Sequence, residues 1–170
     1  MKSRITIRPE SEADFEAITE VTIDAFKALE ISNHTEQFIV TALRAAGALT
    51  VSLVGEIDGR LVGHIAFSPV RISDGAQGWY GLGPLSVALQ YQRQGIGTAL
   101  MEQGLADLKS RNAHGCCVVG HPDYYRRFGF EKVDGLTTEG VPPEVFLALA
   151  FGGDTPRGAV RFHEAFAATG

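Results

Sequence analysis

The run Gln92-Arg93-Gln94-Gly95-Ile96-Gly97-Thr98 puts a pair of glycines between a β-prone stretch and a helical periodicity. The first four N–H groups of a helix have no intrahelical acceptor, and the helix dipole adds partial positive charge there. A helix that starts in this way attracts a phosphate, and glycine lets the anion come close to the backbone. A dinucleotide loop would require a third glycine where Leu100 stands, and the Gly-Lys-Ser/Thr of a Walker loop does not occur. Taken alone, a glycine pair at a helix start is more often a turn or packing device, so its surroundings decide.

Gln92-x-x-Gly95-x-Gly97 resembles the Q/R-x-x-G-x-G/A motif of the GNAT superfamily of acetyl-CoA-dependent N-acetyltransferases. The resemblance implies that backbone amides of Gln92, Arg93, Gln94, Gly95, Ile96, Gly97 and Thr98 bind the pyrophosphate of acetyl-CoA, with no metal. Upstream, Gly83-Pro84-Leu85-Ser86-Val87 is similar to the family's fourth strand, which parts from the fifth. Leu85, Ser86 and Val87 inherit by position its grip on the pantetheine arm. Downstream, Tyr125-Arg126-Arg127-Phe128-Gly129-Phe130 resembles the family's Y-x-x-x-G-F segment, in which the tyrosine is the general acid; Tyr124 is its neighbouring rival. The likeness follows the element order from Ile5 to Lys132 and is specific from Gly83 to Phe130. It lacks one feature: Gly120-His121-Pro122-Asp123 stands where many relatives carry an asparagine loop that touches the cofactor.

Acetyl transfer from a thioester starts with a neutral amine, so the acceptor's ammonium must lose a proton. Glu30, Glu36, His34, His64 and His121 have usable acid-base character, but no motif directs any of them. The resemblance implies that backbone donors of the parted strand near Val87 stabilise the oxyanion, and a phenol of pKa about 10 suffices to protonate a leaving thiolate of pKa about 8.5. Trp79 and Tyr80 read as core aromatics leading into a strand. The expected reaction is direct attack, in a ternary complex, by the primary amine of a small-molecule acceptor. A protein or peptide acceptor, or a non-catalytic acetyl-CoA-binding module, stays open.

These groups need a scaffold. Ile5 and Ile7 alternate as in a strand, and Pro9 with Ser11 breaks the chain before a helix carrying Phe15, Ile18, Val21, Ala25, Phe26 and Leu29. Residues 30–34 read as a loop, and a second helix runs from Thr35 to a stop at Gly47. Residues 48–57 and 61–72 form a hairpin about Asp58-Gly59. Residues 80–87 make a strand, 95–108 a helix and 116–119 a buried strand, which makes the helix a crossover. A short helix follows at 122–127, and residues 145–151 and 159–162 are expected to pair antiparallel. The fold class is therefore mixed α/β: a GNAT-like central sheet, mostly antiparallel, parting between the family's fourth and fifth strands, with helices on both faces.

The 170 residues suit one domain spanning 1–170. A net charge of −5, spread along the chain, gives nucleic acid no electrostatic footing. The two cysteines, Cys116 and Cys117, are adjacent in an apolar run, which suits reduced thiols in a cytoplasmic protein better than a disulfide or spaced metal ligands. The apolar run 145–151 is too short to span a bilayer. The extension 142–166, with Phe146, Phe151, Phe162 and Phe166, reads equally as a cover for the acceptor site, a homodimer surface or plain core.

Overall fold

The computed structural model describes residues 4–30 and 32–170. Among the described residues nine strands and four α-helices follow one another: β1 Ile5–Pro9, α1 Phe15–Phe26, α2 Glu36–Ala45, β2 Val51–Ile57, β3 Arg60–Pro69, β4 Arg71–Ile72, β5 Trp79–Val87, α3 Ile96–Ser110, β6 Gly115–Val119, α4 Pro122–Tyr125, β7 Leu136–Thr137, β8 Phe146–Ala150 and β9 Gly158–Arg161. The expected loop at 30–34 includes Ile31, which lies outside the described residues.

Six strands form the main sheet in the order β1-β2-β3-β5-β6-β8, antiparallel except for β5 with β6. The family's fourth and fifth strands correspond to β5 and β6, because the two-residue β4 takes a number of its own. The parallel pair holds only through Trp79↔Gly115, Tyr80↔Cys116 and Gly81↔Cys117. Beyond that point Leu82, Leu85, Ser86 and Val87 pair with β3 alone, while Val118 and Val119 pair with β8. The sheet thus opens where the sequence motifs require it to.

Side-chain alternation decides which helix covers which face. Gly55 and Gly63 meet Ile96 and Leu100, so their face of β2 and β3 receives α3. Val54 points the other way and packs with Ile18 of α1 and Val40 of α2. Close approach of α3 depends on Gly104, where a Cβ would stand 2.5 Å from the ring of Phe67. Leu100, Met101 and Leu108 complete a core with Ile65, Phe67 and Phe130, all fully buried.

The expected pairing of the last two strands is corrected. β8 adds to the main sheet beside β6, whereas β9 joins a separate three-stranded sheet between β4 and β7. Isolated alternation carries no information on which neighbour a strand will choose, and here β6 and β4 offer free edges sooner than β8 and β9 offer each other. The aromatic extension is core: Phe162 stacks on both Phe146 and Phe166, and Phe166 packs against the cluster formed by Ile39 and Leu43 of α2.

Candidate active site

Gly95 has φ +88° and opens α3 as its N-cap, a left-handed conformation that a side chain strains. Its carbonyl accepts the first helical bond from Ala99, and the N–H groups of Ile96, Gly97 and Thr98 belong to the first turn, which has no intrahelical acceptors. The approach to the loop is held at three points. Gln92 Nε2 donates to the Val87 carbonyl at 3.0 Å, Leu89 N donates to Asp24 on α1 at 2.8 Å, and Gln94 Nε2 bends back to the Gln90 carbonyl. The end of β5, the loop and the end of α1 are thereby tied together.

A cavity of about 590 Å³ opens over this loop. Leu85, Val87, Gln92, Arg93, Gly95, Ile96, Gly97 and Thr98 line it. The Ser86 side chain is turned to the opposite face of the sheet and fully buried, and Gln94 does not reach the lining. Residues outside the motifs complete the wall: Ala25 and Phe26 from the end of α1 and Leu29 just past it, with Tyr91, Tyr124 and Arg127. Phe26 and Leu29 carried a legible helical spacing, but spacing alone does not distinguish an apolar face turned to the core from one turned to a ligand.

The two tyrosines of α4 occupy different places. Tyr124 leans over the glycine loop, so that a Cβ on Gly97 would stand 2.8 Å from its hydroxyl oxygen. The Arg127 guanidinium lies 5.4 Å from the centre of the Tyr124 ring. Tyr125 lies against the other wall: its ring crosses Gly120, just past β6, and meets Phe130 edge-on at 6.0 Å. It does not line the cavity, and it borders the part of β6 that diverges from β5. Burial raises both phenols. Tyr125 is pushed up to about 12, helped by Tyr124 and Cys116 beside it, whereas Arg127 opposes the rise at Tyr124. Cys116 and Cys117 are buried and unpaired, and burial pushes the Cys117 thiol up to about 12.

Among the expected bases, His64 alone is fully buried. His34, Glu30 and His121 are exposed, and Glu36 accepts from Ser32 Oγ. Among the described residues no group of three or more His, Cys, Asp or Glu side chains is placed to hold a metal ion, and no helix is long and apolar enough to cross a membrane.

A sheet that parts beside a glycine-started helix, with a tyrosine-bearing turn across the gap, defines an acyl-CoA-dependent acetyltransferase architecture. The profile of the family described as Acetyltransferase (GNAT) domain matches residues 6–133, and the chain belongs to that family. A GNAT family acetyltransferase from Brucella melitensis, solved in complex with acetyl-CoA, superposes with a TM-score of 0.86 at 48% identity, over 96% of this chain and 99% of that one. The Escherichia coli protein YhbS, solved in complex with CoA, gives 0.84 at 31% identity over 99% and 94% of the two chains. In sequence, the uncharacterized N-acetyltransferase YhbS of E. coli K12 is 36% identical over 110 residues, which span 64% of this chain and 66% of that protein.

Proposed function

We propose that this protein transfers the acetyl group of acetyl-CoA to the primary amine of a small-molecule acceptor, by direct attack in a ternary complex. The observation that carries the reading is the single cavity shared by the first turn of α3, the free edge of β5 and Tyr124. The glycine loop suits a pyrophosphate, because Gly97 leaves room that a side chain would fill and the N–H groups of the first turn need an acceptor. Leu85 and Val87 offer an apolar wall to the pantetheine arm, and the acetyl-CoA complex of the Brucella protein supports the same cosubstrate here. Backbone donors of β5 near Val87, released from pairing with β6, are free to meet the developing oxyanion.

Tyr125 protonates the departing thiolate. The thioester belongs at the fork and the pyrophosphate at α3, and Tyr125 borders the fork whereas Tyr124 overhangs Gly97. A phenol pushed up to about 12 keeps its proton at neutral pH. Burial on the same side of β6 raises the Cys116 thiol as well, so a leaving thiolate held there would be raised towards the phenol. Two buried, reduced thiols suit a cytoplasmic protein.

The test joins calorimetry with acetyl-CoA to a thiol-release screen of amines, polyamines, amino acids and peptides. Gly97→Val should weaken acetyl-CoA binding about tenfold or more by crowding the phosphate, and a small amine should support turnover. Unchanged affinity in a folded Gly97→Val protein, or turnover confined to peptides, would refute the corresponding half of the reading.

A further inference from the structure

Ser52, His64 and Ser86 stand on three neighbouring strands, and all face α1 and α2 rather than α3. The register places His64 opposite Val54 on one side and Ser86 on the other, with Gly63 turned the opposite way against Ile96. Ser52 Oγ donates its proton to Glu10 Oε1, so its lone pair is what meets His64 Nε2 at 2.8 Å. The imidazole therefore donates from Nε2, which leaves Nδ1 a bare acceptor. Among the described residues Nδ1 has no partner, and neither does the hydroxyl of Ser86, although neither residue has exposed surface. Residues directly opposite in antiparallel strands have Cβ atoms about 5 Å apart. A hydroxyl that needs an acceptor thus sits on the residue paired with one whose nitrogen needs a donor; the two make no direct bond, and one water or a side-chain rotation would join them. Leaving either unpaired would cost about 1–3 kcal/mol.

We infer that Glu10, Ser52, His64 and Ser86 form one hydrogen-bonded chain that carries the proton shed by the acceptor's ammonium from β5 to the far side of the sheet. The inference rests on the acetyl-transfer reading above. At the inner end, Leu85 and Val87 on either side of Ser86 line the acetyl-CoA cavity, as does Ala25 of α1 from the face that Ser86 shares. At the outer end, Glu10, Arg44 and Ser52 line a separate cavity of about 340 Å³. Because Ser86 has no exposed surface, the ammonium N–H bond breaks as a water between α1 and β5 takes the proton and passes one of its own to Ser86 Oγ, and Ser86 passes its own to His64 Nδ1. His64 gives up the Nε2 proton to Ser52, Ser52 passes its own to Glu10, and Glu10 releases one to water; no electrons change hands.

The electrostatics suit such transit. Burial, opposed by Glu10 and reinforced by Arg44, pushes His64 down to about 4, so the imidazole rests neutral with Nδ1 open. Burial raises Glu10, but the hydrogen bonds from Arg44 and Ser52 outweigh it and hold the carboxyl below its ordinary value, so it gives up a proton readily. Glu10 from the end of β1 and Arg44 from α2 are the charged groups that act on His64. α1 presents Ile18, Val21 and Ala25, and Thr22, whose hydroxyl is committed to the Ile18 carbonyl.

Two measurements test the relay. Nitrogen-15 NMR of histidine-labelled protein needs no acceptor: His64 should show a protonated Nε2 and a bare Nδ1 whose resonance moves in Ser86→Ala. A protonated Nδ1, or no response to Ser86→Ala, overturns the chain. The second is the pH profile of kcat, with whichever of propylamine, tyramine or spermidine is turned over fastest. Ser52→Ala, which cuts the chain outside the acetyl-CoA cavity, should lower kcat about 10²-fold at pH 7 with acetyl-CoA affinity unchanged. The deficit should close towards pH 10, where an alkylamine of pKa about 10.4 deprotonates on its own, and Ser52→Thr should restore the rate. A deficit that is the same at every pH, with a lowered Tm, would mean that the network only supports the fold. If calorimetry finds no acetyl-CoA binding to the wild-type protein, the acetyl-transfer reading itself has failed, and the relay with it.

Discussion

Tyr124 and Tyr125 are adjacent in sequence, yet a helical turn sends one over the phosphate loop and the other along the wall of β6. Their hydroxyls should therefore separate in kinetics. Tyr125→Phe keeps the ring against Phe130 and removes the proton donor, so kcat should fall about 10²-fold with acetyl-CoA affinity little changed. Tyr124→Phe should do the reverse, weakening acetyl-CoA binding about fivefold, the value of one hydrogen bond of roughly 1 kcal/mol, at nearly full kcat. The reversed pattern in steady-state kinetics would give the acid role to Tyr124. Gly120 supplies an independent probe, because a Cβ there would stand 2.4 Å from the Tyr125 ring. Gly120→Ala should displace the ring and reproduce the kcat loss without touching the phenol; full activity in a folded Gly120→Ala protein would place the acid elsewhere.

Helix α3 does two jobs, offering its first turn to the ligand and its flank to the sheet, and the flank can be tested apart from the site. Gly104→Ala would gain about 1 kcal/mol of helix propensity but drive a methyl to 2.5 Å from Phe67, a rigid, fully buried ring. Overpacking should win by about 1–2 kcal/mol, seen as a Tm lowered by several degrees. A Tm at or above that of the wild type would mean that α3 can slide on the sheet. The glycine loop, the strand before it and the helix after it were legible in the sequence because their signals are local: turn residues and periodicity lie within a few positions of one another. The pairing of β8 with β6 and of β9 with β4 and β7 was not, since alternation is the same whichever edge a strand joins. The α1 wall of the cavity was hidden for a similar reason: Phe26 and Leu29 carry an apolar periodicity that serves a core or a ligand equally well. The Glu10–Ser52–His64 contacts join residues 12 to 42 positions apart, and no spacing rule reaches that far.

The whole molecule reports on its buried histidine through its stability towards acid. His64 is pushed down to about 4 in the folded protein by burial, against an ordinary value of 6.5 on unfolding. Below pH 6.5 the unfolded chain binds a proton that the native state refuses, so stability falls with pH, by about 1.4 kcal/mol per unit, until the native imidazole titrates near 4. The integrated loss is about 3 kcal/mol. The carboxyls held low in the native state belong to a lower window. Asp14, bonded by Arg8, and Glu10, bonded by Arg44 and Ser52, lose their contributions only as pH falls below the ordinary carboxylate values of 3.8 to 4.5. Denaturant titrations between pH 7 and pH 5.5, above the range in which the carboxyls of the unfolded chain take up protons, therefore isolate His64. The wild-type protein should lose stability steadily across that range. His64→Gln, which keeps a neutral polar side chain there, should flatten the slope even if it lowers stability at pH 7. An equal slope in both proteins would mean that the imidazole is protonated in the folded state, and an imidazolium between Ser52 and Ser86 has no bare Nδ1 with which to receive a proton.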